Sequence, residues 1–325
     1  MEEKEKTLSP AALRRGYLYC IFAGAAWGFS GVCGQFLFDQ RLWSVDFIIP
    51  LRMLLAGAVM LLVAAGVEGR AGFFSPFSTR RNGIDLLIFA ILGLGLCQYS
   101  YYTTIREANA TTATILCYLG PVLIIVWQAL RARRLPAKNE LLAVALAVLG
   151  TFVLTTHGDP TSLVLSPQAL FWGLVSAFAT AVYSIQPRGL TARCGTLTSA
   201  GWGLVLAGAF LCLVRRPWAH AEGTFDAAAW CAFITIVLVG SVVCFALYFL
   251  GVGLIGPTKA SILSATEPLV STLLSVFWLH VAFLPMDYVG FALVVSTIFI
   301  LALPGKRQKN GGADPALSAP EELSH

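Results

Sequence analysis

One carboxylate, Glu267, stands in the otherwise apolar run TKASILSATEP, Thr258 to Pro268. If this run crosses a bilayer, Glu267 lies ten residues into its span, about 15 Å deep at 1.5 Å per residue. A charged side chain at that depth costs at least ~2.5–3.5 kcal/mol, so the position requires a wet cavity, a cationic partner or a proton to carry. Ser261, Ser264, Glu267, Ser271 and Ser275 recur at steps of three, three, four and four. That spacing draws one polar stripe along a helix whose other faces are Leu, Ile, Val and Phe. Lipid rejects such a stripe, so it looks into protein or water. The chemistry open to it is an ion pair locking two helices, capture of a substrate ammonium, or proton carriage.

Other polar side chains fall at comparable depth. Thr111, Thr114 and Tyr118 draw a similar stripe above Pro121, as Ser261 and Ser264 do above Pro268. A proline there frees a backbone carbonyl and breaks or kinks the helix, which is tolerated where neighbours or cavity water satisfy the carbonyl. Arg52, in IIPLRMLLAGAV, is the natural counter-ion of Glu267; snorkelling to the interface is the alternative. Gln98, Tyr99, Tyr101 and Tyr102 cover several faces of one helix end, so an aromatic belt explains only part of them. Trp27, in GAAWGFSG, is too deep for a belt and either walls a cavity or packs. Gly24, Ala25, Ala26 and Gly28 beside it permit close helix approach. Together these residues describe a substrate pathway with helix breaks at Pro121 and Pro268.

The elements that carry them are membrane helices. Of 325 residues 57% are hydrophobic and 12% charged, about half the charge of a soluble globular chain. Apolar runs near the ~20 residues that span a bilayer occur at about 16–38, 45–66, 83–104, 109–130, 138–156, 168–187, 197–214, 227–251, 257–279 and 285–303. The fold class is therefore an all-α integral membrane protein of ten transmembrane helices. With the N-terminus in the cytoplasm, sixteen Lys and Arg fall on inside segments and four on outside ones, which places both termini in the cytoplasm. Residues 1–15 form a polar cytoplasmic tail, not a cleavable signal. Residues 157–167 form an extracytoplasmic linker, and 304–325 a disordered cytoplasmic tail.

Several functions are excluded or weakened. The basic residues sit at the ends of apolar helices, which argues against nucleic acid. There is no HExxH, no CxxC and no GxxxxGK[ST], so no metal, no other cofactor and no ATP-driven step is expected. Cys20, Cys33, Cys97, Cys117, Cys212, Cys231 and Cys244 fall within spans and read as packing residues. An intramembrane enzyme, or a receptor or scaffold that transports nothing, remains the alternative to a transporter.

Shifting the chain by 147 residues lays Gly93–Pro121 on Gly240–Pro268 without a gap. Gly93 meets Gly240, Cys97 meets Cys244, Tyr101 meets Tyr248 and Pro121 meets Pro268. Gly120 stands where the second copy has Glu267, so one half alone carries the carboxylate. Residues 16–156 and 168–303 then form two five-helix repeats. Five is odd, so the second copy crosses in the opposite sense, an architecture of secondary transporters with the substrate site near the midplane.

AAWGFSG, PLRMLLAG, ATTATILCYLGP, VLGTFVL and TKASILSATEPL, in this order across two copies, resemble the drug/metabolite transporter superfamily, in particular its EamA-type members. The resemblance covers about residues 16–303. It departs from the family where a "GE" pair often ends spans four and nine, since Ala132 and Val281 stand there. It implies secondary-active transport or export of small metabolites, amino-acid-like or drug-like, across the cell membrane. It also implies a lipid environment, a small-molecule substrate and a proton as candidate coupling ion. No small-residue face is clearly aimed at lipid, which favours a monomer.

Overall fold

The computed structural model describes residues 10–69, 72–131, 133, 137–159, 164–255 and 257–302. Helices make up most of these residues, and no strand occurs among them. The first half runs through α1 (Pro10–Arg41), α2 (Val45–Val67), α3 (Arg80–Ile88) and a π-helical stretch, Phe89–Gly95, that leads without a break into α4 (Leu96–Glu107). It continues with α5 (Ala110–Cys117), α6 (Gly120–Arg131) and α7 (Lys138–Thr156). The second half holds α8 (Pro167–Ile185), a short α9 (Arg188–Cys194), α10 (Thr196–Arg215), α11 (Ala227–Val237) and a second π-helical stretch, Leu238–Val243. It ends with α12 (Cys244–Ile255), α13 (Pro257–Ser264), α14 (Thr266–Phe277) and α15 (Pro285–Ala302).

Short polar residues set where these helices start. Ser44, Thr79, Asn109, Ser166 and Asp226 each accept a backbone N–H from the first turn of the next helix, satisfying donors that would be orphaned at a helix N-terminus. The first helix is described from Pro10 on, six residues before the expected span, and Ala11, Ala12, Leu13, Arg14 and Arg15 are strong helix formers.

Among the described residues, eight helical stretches are long and apolar enough to cross a membrane, and Thr266–Phe277 and Pro285–Leu301 are apolar but shorter. The expected ninth span, 257–279, is two helices that part at Ala265. Large apolar side chains face outward, with Leu213 76%, Phe277 75% and Leu62 74% exposed. Such a surface fits lipid, as water would not favour it. The expected tail 304–325, residues 1–9 and part of the 157–167 linker lie outside the described residues.

The two halves interlock. α1 of the first half packs along α11 to α14 of the second, and α8 of the second packs along α4, α5 and α6 of the first. α2 crosses α10, and α7 crosses α15, one helix from each half in both pairs. The α2–α10 crossing is tight because a Cβ on Gly208 would lie 2.7 Å from the Leu54 backbone nitrogen. The π-helical stretches occupy equivalent places in the two halves, with Gly93 and Gly240 inside them. The helix breaks, at Tyr118–Leu119 and at Ala265, also correspond.

Candidate functional site

A cavity of about 460 Å³ lies at the centre of the interlocked helices. One wall carries Glu267, on the first turn of α14. The break at Ala265 puts this carboxylate at the N-terminus of a half-helix, where the dipole and free N–H groups favour negative charge. Pro268 comes next in the same turn. Proline has no N–H, so the Ser264 carbonyl four residues back is left without its helical donor. The Tyr118 hydroxyl takes that place, donating to Ser264 O at 2.9 Å, and lies 3.3 Å from Glu267 Oε2. The helix break, the proline and the carboxylate of the second half are thus joined by a tyrosine of the first.

Arg52 of α2 lines the same cavity and is 4% exposed. Its Nη1 donates to Gln98 Oε1 at 2.8 Å and its Nη2 to Gly240 O at 3.4 Å. The guanidinium carbon sits 4.8 Å from the Tyr102 ring centroid, a cation–π arrangement. Its Nε is buried with no hydrogen-bond partner. Among the described residues no ion pair joins Arg52 to Glu267. Arg52 points inward and does not snorkel; a guanidinium and a carboxyl group share one cavity, each held by neutral groups.

The π-helical stretches shape this site. Ser241 Oγ and Cys244 Sγ donate to carbonyls five residues back, Ile236 O and Val239 O, filling acceptors that the wide helix leaves off register. Such insertions gather at functional sites, and here Gly240 O is turned to Arg52.

Of the remaining residues singled out in the sequence, Trp27, Gln98, Tyr101, Tyr102, Tyr118, Ser264 and Pro121 line the cavity. The Trp27 ring meets Phe245 and Tyr248 at 5.5 and 5.4 Å. Thr111 and Thr114 are buried between helices: Ser271 donates to Thr111 at 3.2 Å, and Thr114 and Tyr101 hydroxyls are 2.8 Å apart. Tyr99 does not reach the cavity. Its hydroxyl donates to Asp46 at 2.8 Å and its ring lies under Arg215. Pro268 is buried in the first turn of α14, so the break falls three residues before it, at Ala265. Ser261's side chain lies outside the described residues. The serine stripe is also not one continuous helix: Ser264 faces the cavity, whereas Ser271 and Ser275 face Thr111.

Residues missed in the sequence come mainly from α8. Thr180, Tyr183 and Ser184 line the cavity; Ser176, Thr180 and Ser184 recur every four residues, a stripe that the sequence held. Cys97 and Cys117, read as packing, also line it.

Two clasps join the halves at opposite ends of α2, whose 23 residues span about 34 Å. At its start the Trp43 indole donates to Thr224 O at 2.8 Å, and Arg41 pairs with Asp226 at 3.0 Å. The Asp226 carboxyl is held below the usual range, first by the Ala229 backbone N–H and next by Arg41. At its end Glu68 accepts the backbone N–H groups of Leu197 and Thr198 at 2.8 and 2.9 Å. There the Trp202 indole donates to Phe73 O at 2.8 Å and Arg193 pairs with Asp85 at 2.8 Å. Each clasp repeats one arrangement, an indole on a loop carbonyl beside an Arg–Asp pair.

A bundle of apolar helices, broken at matching places in two halves around a cavity that holds an arginine and a carboxyl group, suits a membrane transporter. The family model of the EamA-like transporter family matches residues 14–156 and again 167–303, and the chain belongs to that family. It is 39% identical over 298 residues to the uncharacterized inner membrane transporter YicL of Salmonella typhimurium strain LT2, covering 91% of this chain and 97% of that protein. It is 24% identical to the uncharacterized transporter YetK of Bacillus subtilis strain 168, covering 90% and 88%. A protein of known crystal structure superposes with a TM-score of 0.62 at 18% identity, covering 91% of this chain and 99% of its own. That likeness concerns the fold alone.

Proposed function

We propose that this membrane transporter is secondary-active and carries a small zwitterionic or cationic metabolite, amino-acid-like or drug-like, by alternating access. The observation that carries the reading is that Glu267 and Arg52 line one cavity without pairing with each other. An ammonium binds at Glu267, on the N-terminus of the half-helix. An anionic group of the cargo takes the buried Nε–H of Arg52, and Trp27, Tyr101, Phe245 and Tyr248 offer apolar and cation–π surface. Glu267 is also where a coupling proton is carried.

The two repeats cross the membrane in opposite senses, with both termini in the cytoplasm, in keeping with the distribution of Lys and Arg. Because α1 packs on α11 to α14 and α8 on α4 to α6, each moving unit takes its first helix from the other half. The clasps at the two ends of α2 open in turn.

The test is uptake of labelled amino acids and organic cations into proteoliposomes. Glu267→Gln is expected to lower uptake at least tenfold or to flatten its pH profile, while the protein elutes normally in detergent. Unchanged uptake at every pH removes Glu267 from the mechanism. Arg52→Gln is expected to weaken cargo with an anionic group more than cargo without one.

A further inference from the structure

Cys97 on α4 and Cys117 at the end of α5 both face the cavity. Their sulfurs converge on one hydroxyl: Thr180 Oγ1 of α8 is 3.3 Å from Cys97 Sγ and 3.1 Å from Cys117 Sγ. Two neighbouring helices thus bring a sulfur each to one oxygen, on the wall of the cavity that also carries Glu267. They are free thiols, not a disulfide. In the repeat Cys97 corresponds to Cys244, but Cys117 corresponds to Ser264. A dithiol therefore belongs to the first half alone, as the carboxylate belongs to the second. Among the described residues no three His, Cys, Asp or Glu side chains are grouped to hold a bare metal ion. A soft centre that brings its own third bond fits the two sulfurs better.

We infer that Cys97 and Cys117 form a dithiol site in the cavity wall that captures monosubstituted trivalent arsenicals and equivalent thiophilic electrophiles. Thiolate sulfur is the ligand such soft centres select, and the thiolate is the attacking form. With phenylarsine oxide, two S–H bonds and the As=O bond break, two As–S bonds form, and one water leaves; arsenic stays trivalent. The product clamps α4 to α5 beside Thr180. Capture needs only the geometry of the two thiols, whereas a block of transport by the adduct rests on the function proposed above.

The experiment uses the purified full chain and phenylarsine oxide, read by intact mass and by peptide mapping. One adduct per chain is expected, mapped to Cys97 and Cys117, stable to a monothiol and removed by a dithiol. Cys97→Ser and Cys117→Ser are each expected to lower its formation at least tenfold, with Cys33→Ser and Cys212→Ser unchanged. No adduct, an adduct on another pair of cysteines, or one that persists in either of the first two variants overturns the site. Mapping on the unmodified sequence decides the matter even where a variant folds poorly. In proteoliposomes the adduct is expected to stop uptake. An adduct at Cys97 and Cys117 with uptake untouched keeps the dithiol and overturns the cavity as the transport path.

Discussion

Tyr118 does two jobs with one hydroxyl, filling the carbonyl that Pro268 leaves open at Ser264 and approaching Glu267. Tyr118→Phe takes this donor from both groups, and a buried hydrogen bond left unmade costs about 1–3 kcal/mol. Thermal unfolding in detergent is expected to show a clear fall in Tm; no change would mean that cavity water serves equally well. At the bundle's end Asp226 offers a test by pH. Its carboxyl lies below the ordinary range, so its share of stability is complete above the unfolded value, near ~3.9. That share is lost as the pH falls through the still lower folded value. The Tm difference between the native chain and Asp226→Asn is expected to stay constant from about pH 7 to pH 5 and to shrink only below about pH 4. Glu267 and Arg52 were legible in the sequence because their types alone conflict with lipid. Tyr99 was not, because the π-helical stretch before it adds a residue to the turn and rotates the next helix by roughly 100°. Spacing counted on an ordinary helix could not separate Tyr99, turned to Asp46, from Tyr101, turned to the cavity.

Among the elements, most helices were legible from their apolar runs, and the proline anchors marked where two of them break. The place of the break was not, because Pro268 suits the first turn of a new helix as well as the middle of a kinked one. The small residues around Trp27 were read as allowing close approach, and a Cβ on Gly28 would lie 2.5 Å from the Glu267 carbonyl oxygen. Gly28→Leu therefore forces α1 away from the half-helix that holds the carboxylate. A stability loss of about 1–3 kcal/mol is expected, seen as early unfolding, with uptake lost even in chains that remain folded. Glu68 acts as the cap that α10 lacks, since Gly195 before it offers no side chain. Glu68→Ala is expected to cost about 0.5–2 kcal/mol, with faster hydrogen exchange at Leu197 and Thr198; protection that does not change would mean the cap is idle. This contact crosses from one half to the other, so no local pattern in the sequence announces it.

Across the whole molecule, the repeat was legible from Gly93–Pro121 against Gly240–Pro268, but the interlocking was not. Pairwise identities say which helices correspond; they do not say that α1 packs more on α11 to α14 of the other half than on α4 and α5 of its own. That exchange makes one cavity belong to both halves, with the carboxylate from one and the arginine, tyrosine and dithiol from the other. In the proposed cycle the clasps at the ends of α2 close this cavity to one side of the membrane and then to the other. The most direct test ties each clasp shut in turn with a short reducible cross-linker, in Arg41→Cys/Asp226→Cys and in Glu68→Cys/Thr198→Cys, with single-cysteine variants treated alike as reference. Uptake into proteoliposomes is predicted to stop when either clasp is tied and to return on reduction. Uptake that continues with one clasp tied would contradict a passage that opens to the two sides in turn.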